Sequence, residues 1–292
     1  MEKHFLLAVS GDRSASYNLR FVKDFFSDLC DLSLTLFYVA PRPPNWDFDV
    51  VLQPEQAALA ELEANRKAHQ HEALEKAWEW ITYRACDPDK VHKKVVHSMA
   101  GTVHEIIHEA KKGLYDAVIM GRRGLSWFEE LVEDSVSHQI LWKDIDFPIW
   151  ICRRPDGKER SGVLLCVDET APARRVADHV GFILGEKERH KVTLLHVRQD
   201  SVSVTPKVQQ ILDDAREALT YNNFPEELIE IKIVKAPDVA DAIVREAHDG
   251  NYAAVACGRT LDHPTAMGAL IPSSVTTKLL RKLTDCALWI SK

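Results

Sequence analysis

Apolar residues fall along this chain in two alternating rhythms. Short β-rich runs, near 4–10, 33–39, 92–98, 115–120 and 147–152, are separated by longer segments whose apolar positions return every three or four residues. The first rhythm predicts strands and the second predicts helices packed on them. Strands separated by helix-length crossovers pair in parallel, so the order predicts a parallel sheet with helices on both faces. One helical stretch is long: 54–85, PEQAALAELEANRKAHQHEALEKAWEWITYRA, is rich in helix formers and predicts one long helix or a helix pair. The proline-rich PRPPNWDFDVVLQP before it reads either as a loop covering a site or partner surface or as a plain surface insertion.

The pattern occurs twice. LLAVSG (6–11) resembles LLCVDE (164–169) and LTLFYV (34–39) resembles VTLLHV (192–197), both at an offset of 158. TVHEIIHEAKKGLYDAVIMGR (102–122) lies without a gap over VADAIVREAHDGNYAAVACGR (239–259) at an offset of 137, and FPIWI (147–151) over CALWI (286–290) at 139. The chain therefore predicts two domains, 1–153 and 162–292, joined by a polar linker at 154–161. Each is expected to be α/β, a doubly wound Rossmann-like or flavodoxin-like sheet of five parallel strands with helices on both faces. The first copy carries about 21 extra residues between its second strand and Gly101.

Composition narrows the function classes. The chain has 292 residues, 46% apolar and 28% charged, with a net charge of −7. That is a soluble globular profile with no general attraction to nucleic acid or to an anionic membrane. No apolar run approaches the roughly 20 residues that span a bilayer, and MEKHFLLAVSGD lacks the features of a signal peptide, so the expected location is cytoplasmic. Cys30, Cys86, Cys152, Cys166, Cys257 and Cys286 form no C-x-x-C pair and are expected as buried thiols of a reducing compartment. Cys257 aligns with Met120, which favours an apolar role over a redox one. Arg153-Arg154 and Arg174-Arg175 are expected on the solvated surface. No P-loop occurs, and Ser10 is not a nucleophile elbow because Ala8 stands where the elbow needs glycine.

His104, Glu105 and His108 have the H-E-x-x-H spacing of a zinc protease. At about 100° per residue, Val103, Ile106, Ile107 and Ala110 share one face and the two histidines lie opposite. Their counterparts in the second copy are Asp241 and Arg245, whereas Ile106, Ile107 and Ala110 pair with Ile243, Val244 and Ala247. The histidines thus read as the solvent face of a crossover helix, and no third-ligand motif follows downstream.

In a doubly wound sheet a ligand sits beyond the carboxyl ends of the strands where the strand order reverses, here between the first and fourth strands of each unit. In copy one those ends are Ser10-Gly11-Asp12 and MGRRGLSW (120–127). Gly121 and Gly124 bring backbone N–H groups close to an anion there, and Arg122 and Arg123 add charge. The two-copy pattern, the strands ending in VSG or VDE, and MGRRG followed nine residues later by DSVS together resemble the universal stress protein family, over nearly the whole chain. The resemblance implies a tandem stress-response protein. It also implies an adenine nucleotide, such as ATP with magnesium, held by an aspartate after the first strand and by a G-x2-G-x9-G-[ST] loop.

Both copies depart from that loop. Copy one keeps Gly121, Gly124, Ser135, Val136 and Ser137, but Ser10 replaces the aspartate and Asp134 the third glycine. A carboxylate about 4 Å from a phosphate costs about 4 kcal/mol at an effective dielectric near 20. Alternatively, Asp134 caps the following helix. Copy two keeps Asp168, Gly258 and Ser274, but Leu261 and Ser273 replace glycines and the loop is two residues longer. The residues leave open a single altered site or two decayed sites on a scaffold. The family also pairs units through its last strand, which implies that 147–152 and 286–291 meet across an internal pseudo-twofold, Ile149 and Ile151 against Leu288 and Ile290, with a homodimer as a further possibility.

Three functions follow as expectations. The first is a stress-linked binding or regulatory module with degenerate nucleotide sites. The second is an ATP-binding enzyme-like protein with weak hydrolysis or autophosphorylation on Ser135 or Ser137, and the third a scaffold whose 54–85 segment docks a protein partner.

Overall fold

A computed structural model describes residues 2–10, 16–40, 72–122, 136–141, 143, 145–154, 156–185, 190–200, 203–259 and 274–292. In the first half, β1 (Lys3–Val9), β2 (Leu32–Ala40), β3 (Val91–His97), β4 (Ala117–Gly121) and β5 (Ile149–Cys152) pair in parallel in the order β3-β2-β1-β4-β5. The second half repeats this with β6 (Val163–Cys166), β7 (Val192–Arg198), β8 (Ile229–Lys235), β9 (Ala254–Gly258) and β10 (Ala287–Ser291), in the order β8-β7-β6-β9-β10. β5 and β10 are antiparallel partners, with Trp150 opposite Trp289, Ile149 opposite Ile290 and Ile151 opposite Leu288. The two five-stranded units are therefore halves of one ten-stranded sheet. Each half's last strand, an edge on its own, is closed by the other.

Helices α1 (Ser16–Phe25), α2 (72–82), α5 (Ala171–Leu184) and α6 (Pro206–Tyr221) pack on one face. On the other face lie α3 (Thr102–Gly113), α4 (Val136–Leu141), α7 (Val239–Asp249) and α8 (Val275–Lys282). Their starts are written in the sequence. Thr170 and Thr205 accept hydrogen bonds from Ala173 N–H and Val208 N–H with a proline in the first turn of each helix, and Asp238 accepts from Asp241 N–H. Of the 54–85 stretch, 72–82 is helical and 54–71 lies outside the described residues, as does the whole proline-rich run before it.

The centre of the first face is aromatic. Trp150 and Trp289 stack across the β5–β10 pair with ring centroids 3.9 Å apart and an interplanar angle of 4°. Trp150 Nε1–H donates to His179 Nε2 of α5 at 3.0 Å. At the offset of 158, the counterpart of His179 is Phe21. Among the described residues Trp289 Nε1–H has no acceptor.

Two sequence expectations are corrected here. Cys30 and Cys86 form a disulfide rather than two buried thiols, because the turn into β2 and the end of α2 converge with the two Cα atoms 4.8 Å apart. The other four cysteines are free. Arg153 is not on the solvated surface but 5% exposed, because the end of β5 abuts the second half once β10 pairs with it. The polar stretch after it is pinned as well: Arg160 Nη2 donates to Asp156 at 2.8 Å and to Asp285 at 2.6 Å.

Candidate functional site

The strand order reverses between β1 and β4 and again between β6 and β9, so each half has one crevice beyond its strand ends. At the first crevice the buried Asn18 of α1 ties the two strands together. Its Nδ2 donates to Ala8 O at 2.9 Å and Ile119 O at 3.1 Å, and its Oδ1 accepts from Leu19 N–H. Sequence reasoning missed this residue. Its signal is an amide in the apolar stripe of α1 where the second copy has Val176.

Ser10 is exposed directly after β1, and Gly121 ends β4. Arg122 donates its backbone N–H to Cys152 O at 2.8 Å, while its guanidinium Nη1 lies 3.3 Å from Leu280 O in the last turn of α8. Arg153 Nη2 donates to the same carbonyl. Two arginines of the first half thus cap the carboxyl end of a second-half helix, where cations are favoured. Burial, with Arg122 beside it, pulls the Arg153 guanidinium down to about 10. Val136 begins α4 half-buried. Arg123, Gly124, Asp134 and Ser135 and the Ser137 side chain lie outside the described residues.

At the second crevice, Asp168 is exposed and its carboxylate is occupied locally, accepting Thr170 N–H at 2.8 Å and Thr170 Oγ1–H at 2.5 Å. Gly258 ends β9 against the start of α5. A Cβ there would sit 2.4 Å from Ala173 N and 2.5 Å from the Pro172 carbonyl carbon, so glycine is a packing requirement of this crevice. Ser274 is the N-cap of α8, its Oγ accepting Thr277 N–H and lying 2.9 Å from Thr277 Oγ1. Leu261 and Ser273 are outside the described residues. Arg259, the counterpart of Arg122, is buried and held below its ordinary range by burial. The GR pair repeated at 121–122 and 258–259 was the signal for it.

The geometry brings Ser10, Gly121 and Arg122 to one crevice and Asp168, Gly258 and Ser274 to the other. Ser274 thus satisfies one of the N–H groups that open α8. The thiols nearby are inert: burial pushes Cys257 up to about 12 and Cys166 well above its ordinary value.

The H-E-x-x-H segment lies on α3. His104 and His108 are exposed with ring centroids 6.4 Å apart, and Glu105 accepts the N–H groups of Met99 and Ala100. Among the described residues, the set of His, Cys, Asp and Glu close enough to share a metal ion is Asp28, Cys30 and Cys86. No helix among them is long and apolar enough to cross a membrane.

The sequence model of the universal stress protein family matches residues 1–153. A universal stress protein from Archaeoglobus fulgidus is similar over 99% of this chain and 98% of its own, at 17% identity and a TM-score of 0.71. A protein of unknown function from Pseudomonas aeruginosa PAO1 is similar over 100% of this chain and 92% of its own, at 13% identity and a TM-score of 0.51. These likenesses speak to the fold. A universal stress protein in complex with cAMP covers 45% of this chain with 96% of its own, at 22% identity and a TM-score of 0.36. No curated protein matches.

Proposed function

The chain belongs to the universal stress protein family, and from that premise we propose that it is a tandem member acting as a stress-response regulatory module with unequal adenine-nucleotide sites. In this reading domains 1–153 and 162–292 are joined by 154–161, and the working site is in the first. The observation that carries it is the occupation of the second crevice, where Asp168 is spent on Thr170 and Ser274 on the start of α8. In the first crevice Ser10 is exposed at the end of β1 and Gly121 stands across from it at the end of β4.

The residues that would hold a nucleotide there are Ser10, Gly121, Gly124, Ser135 and Ser137, with Arg123 adding charge; the Arg122 guanidinium, expected to add charge too, is instead turned to Leu280 O of the other half. The nucleotide with its magnesium ion would supply a polyphosphate whose presence or absence the module reports. Arg122 supports such coupling, since it leaves the crevice backbone and reaches the carboxyl end of α8 in the other half.

Isothermal titration of the full chain with ATP, ADP and AMP plus magnesium tests this. Saturable heat that Gly121→Val abolishes and Ser274→Ala leaves intact is expected. No heat up to millimolar ligand would sink the nucleotide reading and leave the scaffold function, in which case partners are to be sought through the 54–85 segment.

A further inference from the structure

Cys30, Cys86 and Asp28 form a cluster that the nucleotide reading does not use. All three are at the surface, and their ligand atoms lie within 4.8 Å of one another. The Asp28 carboxylate is held beside the sulfurs because its Oδ1 accepts Cys30 N–H at 2.8 Å. Lys90 Nζ donates to Cys30 O at 3.1 Å and is ion-paired with Glu2 at 2.8 Å, so its charge is already matched beside the cluster. The thiolate is the form of cysteine that both attacks disulfides and binds metal.

We propose that this cluster is a redox-gated metal site, closed as a disulfide when oxidised and binding one thiophilic divalent cation, zinc by preference, when reduced. Two thiolates and a carboxylate are a zinc-type donor set, and a water completes four-coordination at an exposed position. Opening the site consumes one dithiol reductant. The S–S bond breaks, the reductant's two thiols become its own disulfide, and two protons and two electrons pass to Cys30 and Cys86. Zinc then displaces both protons as the thiolates bind it.

The position gives the site a consequence. Cys30 stands at the entry to β2 and Cys86 just after α2, 56 residues apart, so the disulfide and the metal are alternative clasps on the same loop. Reduced and metal-free, the loop has neither. The four remaining cysteines are poor competitors, three of them buried and Cys166 half-buried.

The test uses the full chain, oxidised or reduced by a phosphine and freed of metal, titrated with zinc and then with cadmium to read its thiolate charge-transfer absorbance. One equivalent bound only in the reduced protein is expected, weakened by at least about a hundredfold in Cys30→Ser and in Cys86→Ser. In the reduced wild type, zinc should also protect Cys30 and Cys86 from alkylation, a readout that holds even where a variant fails to fold. No uptake by the reduced chain, uptake that survives both substitutions, or uptake indifferent to oxidation would each overturn the proposal. The nucleotide titration is read at other residues, so either idea can fail without the other.

Discussion

His179 makes acid sensitivity calculable. It is buried, its Nε2 accepts the Trp150 indole N–H, and burial lowers its pKa to about 3. The native state therefore binds the neutral ring, while the unfolded chain protonates near the ordinary value of about 6.5. The contribution is fully present above that value. It is lost as pH falls from 6.5 toward 3, at about 1.4 kcal/mol per pH unit. Between pH 7 and pH 5 this one residue costs the fold about 2 kcal/mol. Urea unfolding at both pH values, on wild type and His179→Gln with the disulfide intact, isolates it, because Gln still offers an acceptor to Trp150 but does not titrate. Wild type should lose about 2 kcal/mol more than the variant over that interval. Parallel pH profiles would refute the reasoning, as would an NMR titration in which the native His179 ring protonates near pH 6.

Three further outcomes are expected. Gly258→Ala should destabilise the chain by about 2 kcal/mol or more in chemical denaturation, because the new methyl group meets the backbone of Pro172 and Ala173. Leu114→Asn should raise stability by about 0.5–1 kcal/mol in the same assay: Leu114 is exposed with φ of 50°, a region that costs a leucine but suits asparagine, and its counterpart in the repeat is Asn251 at φ 54°. Reducing Cys30–Cys86 in the presence of a chelator should lower stability by about 2–4 kcal/mol, as expected for a loop of this length, and unchanged unfolding after verified reduction would contradict it.

Much of the fold was legible because strand, helix and repeat are all written as periodicity. The β1 and β6 runs, the crossover helices and the Trp150/Trp289 register follow from local pattern plus an offset. What was not legible depends on residues meeting from distant parts of the chain. Arg153 looks like a surface cation until β10 lies beside β5, and Cys30 and Cys86 look like scattered thiols until α2 returns over β2. Asn18 carries no motif, and its role exists only because Ala8 and Ile119 present carbonyls to the same point. At the crevices, the local hydrogen bonds that Asp168 and Ser274 make were not legible either, because they depend on the backbone geometry of each turn.

The stacked tryptophans lie where a dimer of identical subunits would have its symmetry axis. In such a dimer any residue beside the axis is present twice, so a substitution that helps one tryptophan is imposed on both. Covalent fusion lifts that constraint: here one indole has a histidine partner, while the matching position beside the other holds Phe21. The same freedom separates buried Arg153 from its counterpart Lys292. Once joined, the halves can drift apart in sequence at their shared seam while the seam persists, so one half can specialise as support for the other.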